Sequence, residues 1–257
     1  MKIQFSKYQG TGNDFIIIDN RVIQWEPAES EVSMLCDRHT GIGADGLMLL
    51  GEKSGFDFSM RYFNSDGKES TMCGNGGRCM TAFARFLGLV DTNARFWAVD
   101  GSHEAEFADP IYRLKMSDTR LAVVFEDGYL LNTGSPHFVV FTNGVAGIDV
   151  SGAGRALRND ERFTPEGVNV DFVEFVEDGL FVRTYERGVE GETLSCGTGV
   201  TAAAIVAACL IPGDREFYPI KTLGGDLRVS FRQTNLNFSD VWLEGPAMQV
   251  FRGEILL

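Results

Sequence analysis

Cys73-Gly74-Asn75-Gly76 and Cys196-Gly197-Thr198-Gly199 decide how this chain is read, because they are the same loop written twice, 123 residues apart. Glu69 and Glu192, four positions upstream of each Cys, keep that offset, and so do Tyr62 and Tyr185. Further out, Thr11-Gly12-Asn13-Asp14-Phe15 matches Thr133-Gly134-Ser135-Pro136-His137-Phe138, and Gly101 to Phe107 matches Gly225 to Phe231. Three groups in the same order at nearly one offset imply an internal duplication that spans almost the whole chain.

Each half reads as strands around a helix. Phe15-Ile16-Ile17-Ile18, Leu47-Met48-Leu49-Leu50, Phe58 to Phe63, Phe138 to Phe141 and Phe172 to Val176 are short apolar runs bounded by turn residues. A helix is predicted after each Cys-Gly loop, over about Gly77 to Leu87 and Thr198 to Leu210. The second carries Ala202-Ala203-Ala204-Ile205-Val206-Ala207-Ala208 and has no polar face, so it must be surrounded. The expected class is α+β: two pseudo-symmetric halves, each a curved, mostly antiparallel sheet or open barrel wrapped around a central helix. A further surface helix is predicted over Pro27 to His39, and Pro165 to Asn169 reads as a loop entering a strand.

The 257 residues carry a net charge of −13, which argues against a nucleic-acid partner or a polybasic membrane surface. No apolar run approaches the roughly 18 residues of a membrane span, and Met1 to Lys7 lacks a signal-peptide core, so a cytoplasmic protein is expected. Cys36, Cys73, Cys79, Cys196 and Cys209 are odd in number and widely spaced, which suits neither a disulfide framework nor, with three His, a zinc site. Gly41-Ile42-Gly43-Ala44-Asp45-Gly46 matches a dinucleotide fingerprint in letters only, because the strand comes after it and the helix before it.

The two Cys-Gly loops carry the chemistry. Each sets a thiol at a helix start, where unpaired N–H groups and the helix dipole favour an anion and lower a thiol pKa. A symmetric pair of such thiols has two uses. Joined, they make a redox disulfide; held apart on either side of one carbon, they remove a proton from one face and return one to the other. The second use inverts a stereocentre without a cofactor, and two helix N-termini at one cleft would cradle the carboxylate of the intermediate. Only six Lys occur, and none stands in an evident pyridoxal-phosphate setting.

The sequence resembles the diaminopimelate epimerase family along its whole length. The resemblance rests on Lys7 to Phe15, Asp37 to Gly46, Phe63 to Gly67, Met72 to Arg78, Gly134 to His137, Glu166 to Val170, Glu186-Arg187-Gly188 and Cys196 to Gly199. It implies that Cys73 and Cys196 are the paired acid and base, with no cofactor and no metal. It implies that Asn13, Asn64, Asn169, Glu186 and Arg187 hold diaminopimelate, Arg187 at the distal carboxylate. The N–H groups of Gly74, Asn75, Gly197 and Thr198 would take the carboxylate beside the reacting carbon, while His137 and Glu186 tune the thiols. A homodimer is implied as well. The expected division is 1–117 with Cys73, joined by the C-terminal strand at about 247–257, and 118–246 with Cys196. Ser135 stands where many members carry Asn, Gly46 where some carry Gln, and Val189-Glu190-Gly191 makes its loop a residue longer than in many. A proline or hydroxyproline racemase of the same architecture is the nearest rival, although those usually carry His where this chain has Asn75. A redox-switch thiol protein is the rival from another class, although such pairs usually lie close in sequence.

Overall fold

Strand pairing repeats the duplication independently of the letters. The structure is a computed structural model that describes every residue except Met1, Asp109, Leu121, Ala122, Pro212, Asp214 and Leu257. The chain divides into two units, Met1–Leu114 with Gly245–Leu257, and Lys115–Glu244.

In the first unit the strand Lys2–Gly10 pairs antiparallel with Asn13–Asp19, which runs parallel to Gly46–Gly51. Gly46–Gly51 is antiparallel to Phe58–Asn64, and Phe58–Asn64 is parallel to Asn93–Ala98. Two antiparallel hairpins, through Gly101–Ala108 to Ile111–Lys115, complete the run. The second unit follows the same order of antiparallel and parallel steps. It passes through Tyr129–Asn132, Pro136–Phe141, Asn169–Val176, Gly179–Glu186, Phe217–Thr222, Gly225–Thr234 and Asn237–Pro246. Met248–Leu256 pairs antiparallel with Lys2–Gly10 and so belongs to the first unit; Leu257, the last residue of the expected C-terminal strand, lies outside the described residues.

Each inner helix starts immediately after its Cys. The helix of the first unit that follows Cys73 covers Gly74–Phe86, three residues earlier than predicted, because Cys73 itself is its N-cap. The corresponding helix of the second unit covers Gly197–Leu210. Ahead of each inner helix in the chain stands an outer one, so the four are α1 (Glu29–Cys36), α2 (Gly74–Phe86), α3 (Val150–Arg158) and α4 (Gly197–Leu210). Strands Lys2–Gly10, Asn13–Asp19, Gly46–Gly51, Phe58–Asn64 and Met248–Leu256 pack on α2, which is buried from Gly74 to Ala84. In the same way α4 lies among six strands of its unit and is buried from Gly199 to Ala208. Its run of Ala lets those strands approach closely, and enlarging a packed position there would cost about 1–3 kcal/mol.

The strands between the inner and outer helices are covered on both faces, which is why they read as unbroken apolar runs. Ile16, Ile18, Leu47 and Leu49 pack with Val32 and Leu35 of α1. On the opposite face, the sulfur of Met48 lies 3.2 Å from where a Cβ on Gly76 of α2 would sit. In α1, predicted over Pro27 to His39, Glu31 accepts the Ala28 N–H at the start (2.8 Å). Asp37 takes the N–H groups of His39 and Thr40 in an Asx turn that stops it. α3 is not predicted from its letters. Val-Ser-Gly-Ala-Gly-Arg-Ala-Leu-Arg is poor in helix formers, and its apolar side packs on Tyr185 and Phe163 instead. No helix among the described residues is long and apolar enough to cross a membrane.

Candidate active site

In the first unit one end collects the starts of Asn13–Asp19 and Gly46–Gly51, the end of Phe58–Asn64, and the N-terminus of α2. Register sets this arrangement, since Phe15 pairs with Gly46 and Gly46 with Asn64. The Cys73 Sγ accepts the Gly76 N–H at 3.1 Å. Asn75 is buried and donates to Asn13 Oδ1 (2.5 Å), while Asn13 donates to Asp45 (2.8 Å). Asp45 and Asp14 share Arg38, and Asp14 also pairs with Lys7, which donates to the Gly43 carbonyl. Burial acts to raise the Asp14 carboxyl, but hydrogen bonds from Arg38 and Lys7 outweigh it and hold the pKa at about 2.

Beneath Asn75 lies Arg78, fully buried, donating to Asn75 Oδ1 (2.8 Å), Thr11 Oγ1 (3.2 Å) and the Gly74 carbonyl (3.3 Å). Thr11 is held left-handed at φ 47°, a costly state for a β-branched residue, in the two-residue turn Thr11-Gly12. Asn64 stands apart from this network. It is exposed, its N–H and C=O close a turn to Lys68 and Gly67, and it is placed only beside Gly46.

In the second unit His137 and Asn169 are register partners at the start of parallel strands. His137 is fully buried, with Nδ1 2.7 Å from Asp171 Oδ2 and Nε2 2.9 Å from Thr198 Oγ1 and 3.0 Å from Ser135 Oγ. Asp171 also accepts from Thr184 Oγ1 (2.8 Å). Gly199 permits that approach, since a Cβ there would stand 2.3 Å from Asp171 Oδ1. The Cys196 Sγ lies 3.4 Å from Thr198 Oγ1 and is also hydrogen-bonded to Glu186, whose Oε1 takes the Thr193 hydroxyl. Asn169 donates to Ser135 Oγ (3.0 Å) and accepts the Arg187 N–H (2.9 Å). The guanidinium of Arg187 donates to the carbonyls of Glu166 and Gly167, and to no carboxylate among the described residues. Glu186 and Arg187 are therefore not a surface couple.

The expectation that a helix start lowers both thiols fails for Cys196. Burial pushes this thiol well above its ordinary value, and the carboxylates of Glu186 and Asp171 push the same way. Burial likewise raises Glu186, so acid and thiol both favour their protons. Elsewhere Cys79 is buried within α2, burial pushes the Cys36 thiol up to about 12, and Cys209 lies in the last turn of α4.

Thr11, Asp45, Arg78, Asp171 and Thr184 join these networks without having been singled out in the sequence. Asp171 had a signal: two residues past Asn169, on one strand face with it. The departures from the family pattern are also explained. Ser135 puts its hydroxyl among His137, Asn169 and Thr198. A side chain at Gly46 would meet the Phe63 carbonyl and the Tyr62 ring, each 2.5 Å from its Cβ. The longer loop turns at Glu190 (φ 57°) and ties to α3 through Arg158 (3.1 Å).

Two like units, each with its inner helix starting on a Cys-Gly step, define a fold shared with solved structures of low sequence identity. A PhzF-family phenazine biosynthesis protein from Bacillus anthracis has a TM-score of 0.77 at 13% identity, covering all of both chains. A hydroxyproline epimerase from Agrobacterium vitis has a TM-score of 0.74 at 15% identity, covering 100% of this chain and 93% of that one. The family model for diaminopimelate epimerase matches residues 5–112 and 129–249, and the chain belongs to that family. A diaminopimelate epimerase of Flavobacterium psychrophilum is 46% identical, covering 97% of this chain and 98% of the relative. Another, of Chlorobaculum tepidum, is 41% identical over 96% and 99%.

Proposed function

We propose that this chain is an isomerase that interconverts LL- and meso-diaminopimelate, inverting one α-carbon with two thiols and no cofactor. The observation that carries the reading is the pair of matched helix starts, each led by Cys, in a chain of this family. In one direction the Cys73 thiolate takes the α-proton, and the electron pair passes into the adjacent carboxylate. The N–H groups of Gly74, Asn75, Gly197 and Thr198 stabilise that charge at two helix N-termini. The Cys196 thiol then protonates the opposite face of the carbon, leaving a Cys73 thiol and a Cys196 thiolate. The reverse reaction exchanges the roles.

Asn13, Asn64, Asn169 and Glu186 hold the rest of the substrate, and His137 with Glu186 governs the charge on the thiols. Arg187, whose guanidinium meets carbonyls and no carboxylate among the described residues, grips the distal carboxylate with two parallel bonds. The same reading takes the enzyme as a cytoplasmic homodimer, for which exposed Met248, Val250 and Phe251 supply apolar surface.

Cys73→Ala and Cys196→Ala are each expected to lower epimerisation of diaminopimelate by about a thousandfold or more, the scale of a lost acid or base. Cys209→Ala is the control that keeps its activity. Either active-site variant turning over within tenfold of the parent enzyme rejects the two-thiol reaction. Turnover of proline or hydroxyproline in place of diaminopimelate rejects the substrate.

A further inference from the structure

Arg78 is a cation where the fold asks for none. It sits in the second turn of α2, fully buried, and its Nε has no hydrogen-bond partner among the described residues. Among the described residues its other nitrogens meet neutral oxygens: those of Asn75, Thr11 and the Gly74 carbonyl. A positive charge near a helix N-terminus also opposes the helix dipole. The second unit shows how little the local structure requires, because Thr201 occupies the equivalent place, 123 residues on. Its hydroxyl bonds the Gly197 carbonyl four residues back (2.8 Å), just as Arg78 bonds that of Gly74. A hydroxyl satisfies this carbonyl, so the guanidinium answers to something else.

Carboxylates on the strands around α2 are already engaged. Asp14 pairs with Lys7 and Arg38, Asp19 with Arg21, and Glu254 with Lys2. The cations there are engaged too, Arg61 by Glu26 and Glu69 and Arg252 over the Phe86 ring. The titratable groups that act on Arg78 are the thiols of Cys73 and Cys79, both on its own helix or cap. Cys79 in turn acts on Tyr8, from the strand Lys2–Gly10. Burial drives Cys79 toward its neutral form and lowers Arg78 only to about 10, so the guanidinium stays charged at neutral pH. That leaves one group able to become its counter-ion.

We propose that Arg78 is a positioning residue that holds Cys73 as the thiolate in the resting enzyme, so that Cys73 starts as the base and Cys196 as the acid. The inference rests on the two-thiol reading above and adds which thiol is charged before substrate arrives. The neighbours of Cys196 complete the asymmetry. Where the first unit buries a cation, the second sets the carboxyl of Glu186 and the Asp171 carboxylate around its thiol. A resting enzyme of this kind favours the stereoisomer that presents its α-hydrogen to Cys73.

The test is alkylation of the substrate-free enzyme with iodoacetamide between pH 5 and 10, the rate at Cys73 being read by peptide mapping. In the parent enzyme the rate should plateau at a pH below the ordinary thiol value of about 8.5. In Arg78→Gln it should fall roughly tenfold or more at pH 7, with the inflection moved up by about one unit or more. Arg78→Lys, which keeps the charge, should restore most of the rate. An unchanged Cys73 profile in Arg78→Gln overturns the proposal, and a rise in KM alone would assign Arg78 to the substrate carboxylate instead. Should Arg78→Gln not fold, a parent inflection at or above the ordinary value overturns it just as directly. The measurement does not depend on turnover, so an active Cys73→Ala variant would sink the two-thiol reading without touching this result.

Discussion

α2 and α4 begin alike and end up in opposite electrostatic surroundings. Each opens on a glycine after a capping Cys, each is enclosed by strands of its own unit, and each has its first carbonyl satisfied from four residues on. Around Cys73 the buried charge is the Arg78 cation, while around Cys196 it is Asp171, with the Glu186 carboxyl beside it. Duplication copied the frame, and substitutions at a few inward positions gave the two copies different charge. An acid and a base built from one residue type need such a difference, since a helix start alone treats both thiols equally.

The comparison breaks first at Asp171. Asp171→Asn should lower kcat about a hundredfold, within the range of lost acid–base support. An amide that donates to Nδ1 leaves the proton on Nε2, which then no longer accepts from Thr198. Tautomer-sensitive nitrogen NMR of His137 checks the cause, and an unchanged tautomer with unchanged kcat would detach His137 from Cys196.

Acid should separate the halves next. Asp14 has its folded pKa near 2, below the unfolded value of about 3.9, so its contribution is complete above pH 4 and disappears as pH falls toward 2. Asp14→Asn should cost about 1–2 kcal/mol in denaturant unfolding at pH 7, allowing for solvent screening, and almost nothing near pH 2. Glu186 has the opposite sign. Its folded pKa is raised, so its stabilising form is the protonated one, and stability falls as pH climbs above the ordinary carboxylate range. Glu186→Gln should therefore raise stability at pH 8 by about 1 kcal/mol while slowing epimerisation, a trade expected of strained active-site groups. A variant less stable at pH 8 than its parent would show that Glu186 is held there as a comfortable anion.

Much of this was legible from letters and part was not. The duplication, both inner helices and the strands around them follow from repeat spacing and apolar runs, and strand pairing reproduces them step by step. α3 escapes because its two glycines hide it from propensity, yet α1 shifted by the repeat offset falls on Gly152 to Asn159 and would have located it. Around the two Cys, residues in motifs are easy to list, but their environment is not. Nothing in the letters says that Arg78 lacks a carboxylate or that Asp171 reaches across to His137. Both depend on which side chains the sheet turns inward together, a property of register. The raised Cys196 thiol is the clearest example, since the helix-start argument is sound locally and loses to burial beside carboxyl groups.

The pairing of Lys2 with Leu256 bears on how the chain folds. The second unit is one continuous stretch, whereas the first must recruit Met248–Leu256 from the other end of the sequence. Closing that distance carries an entropic penalty that contacts repay only late, so the first unit should acquire its native sheet after the second.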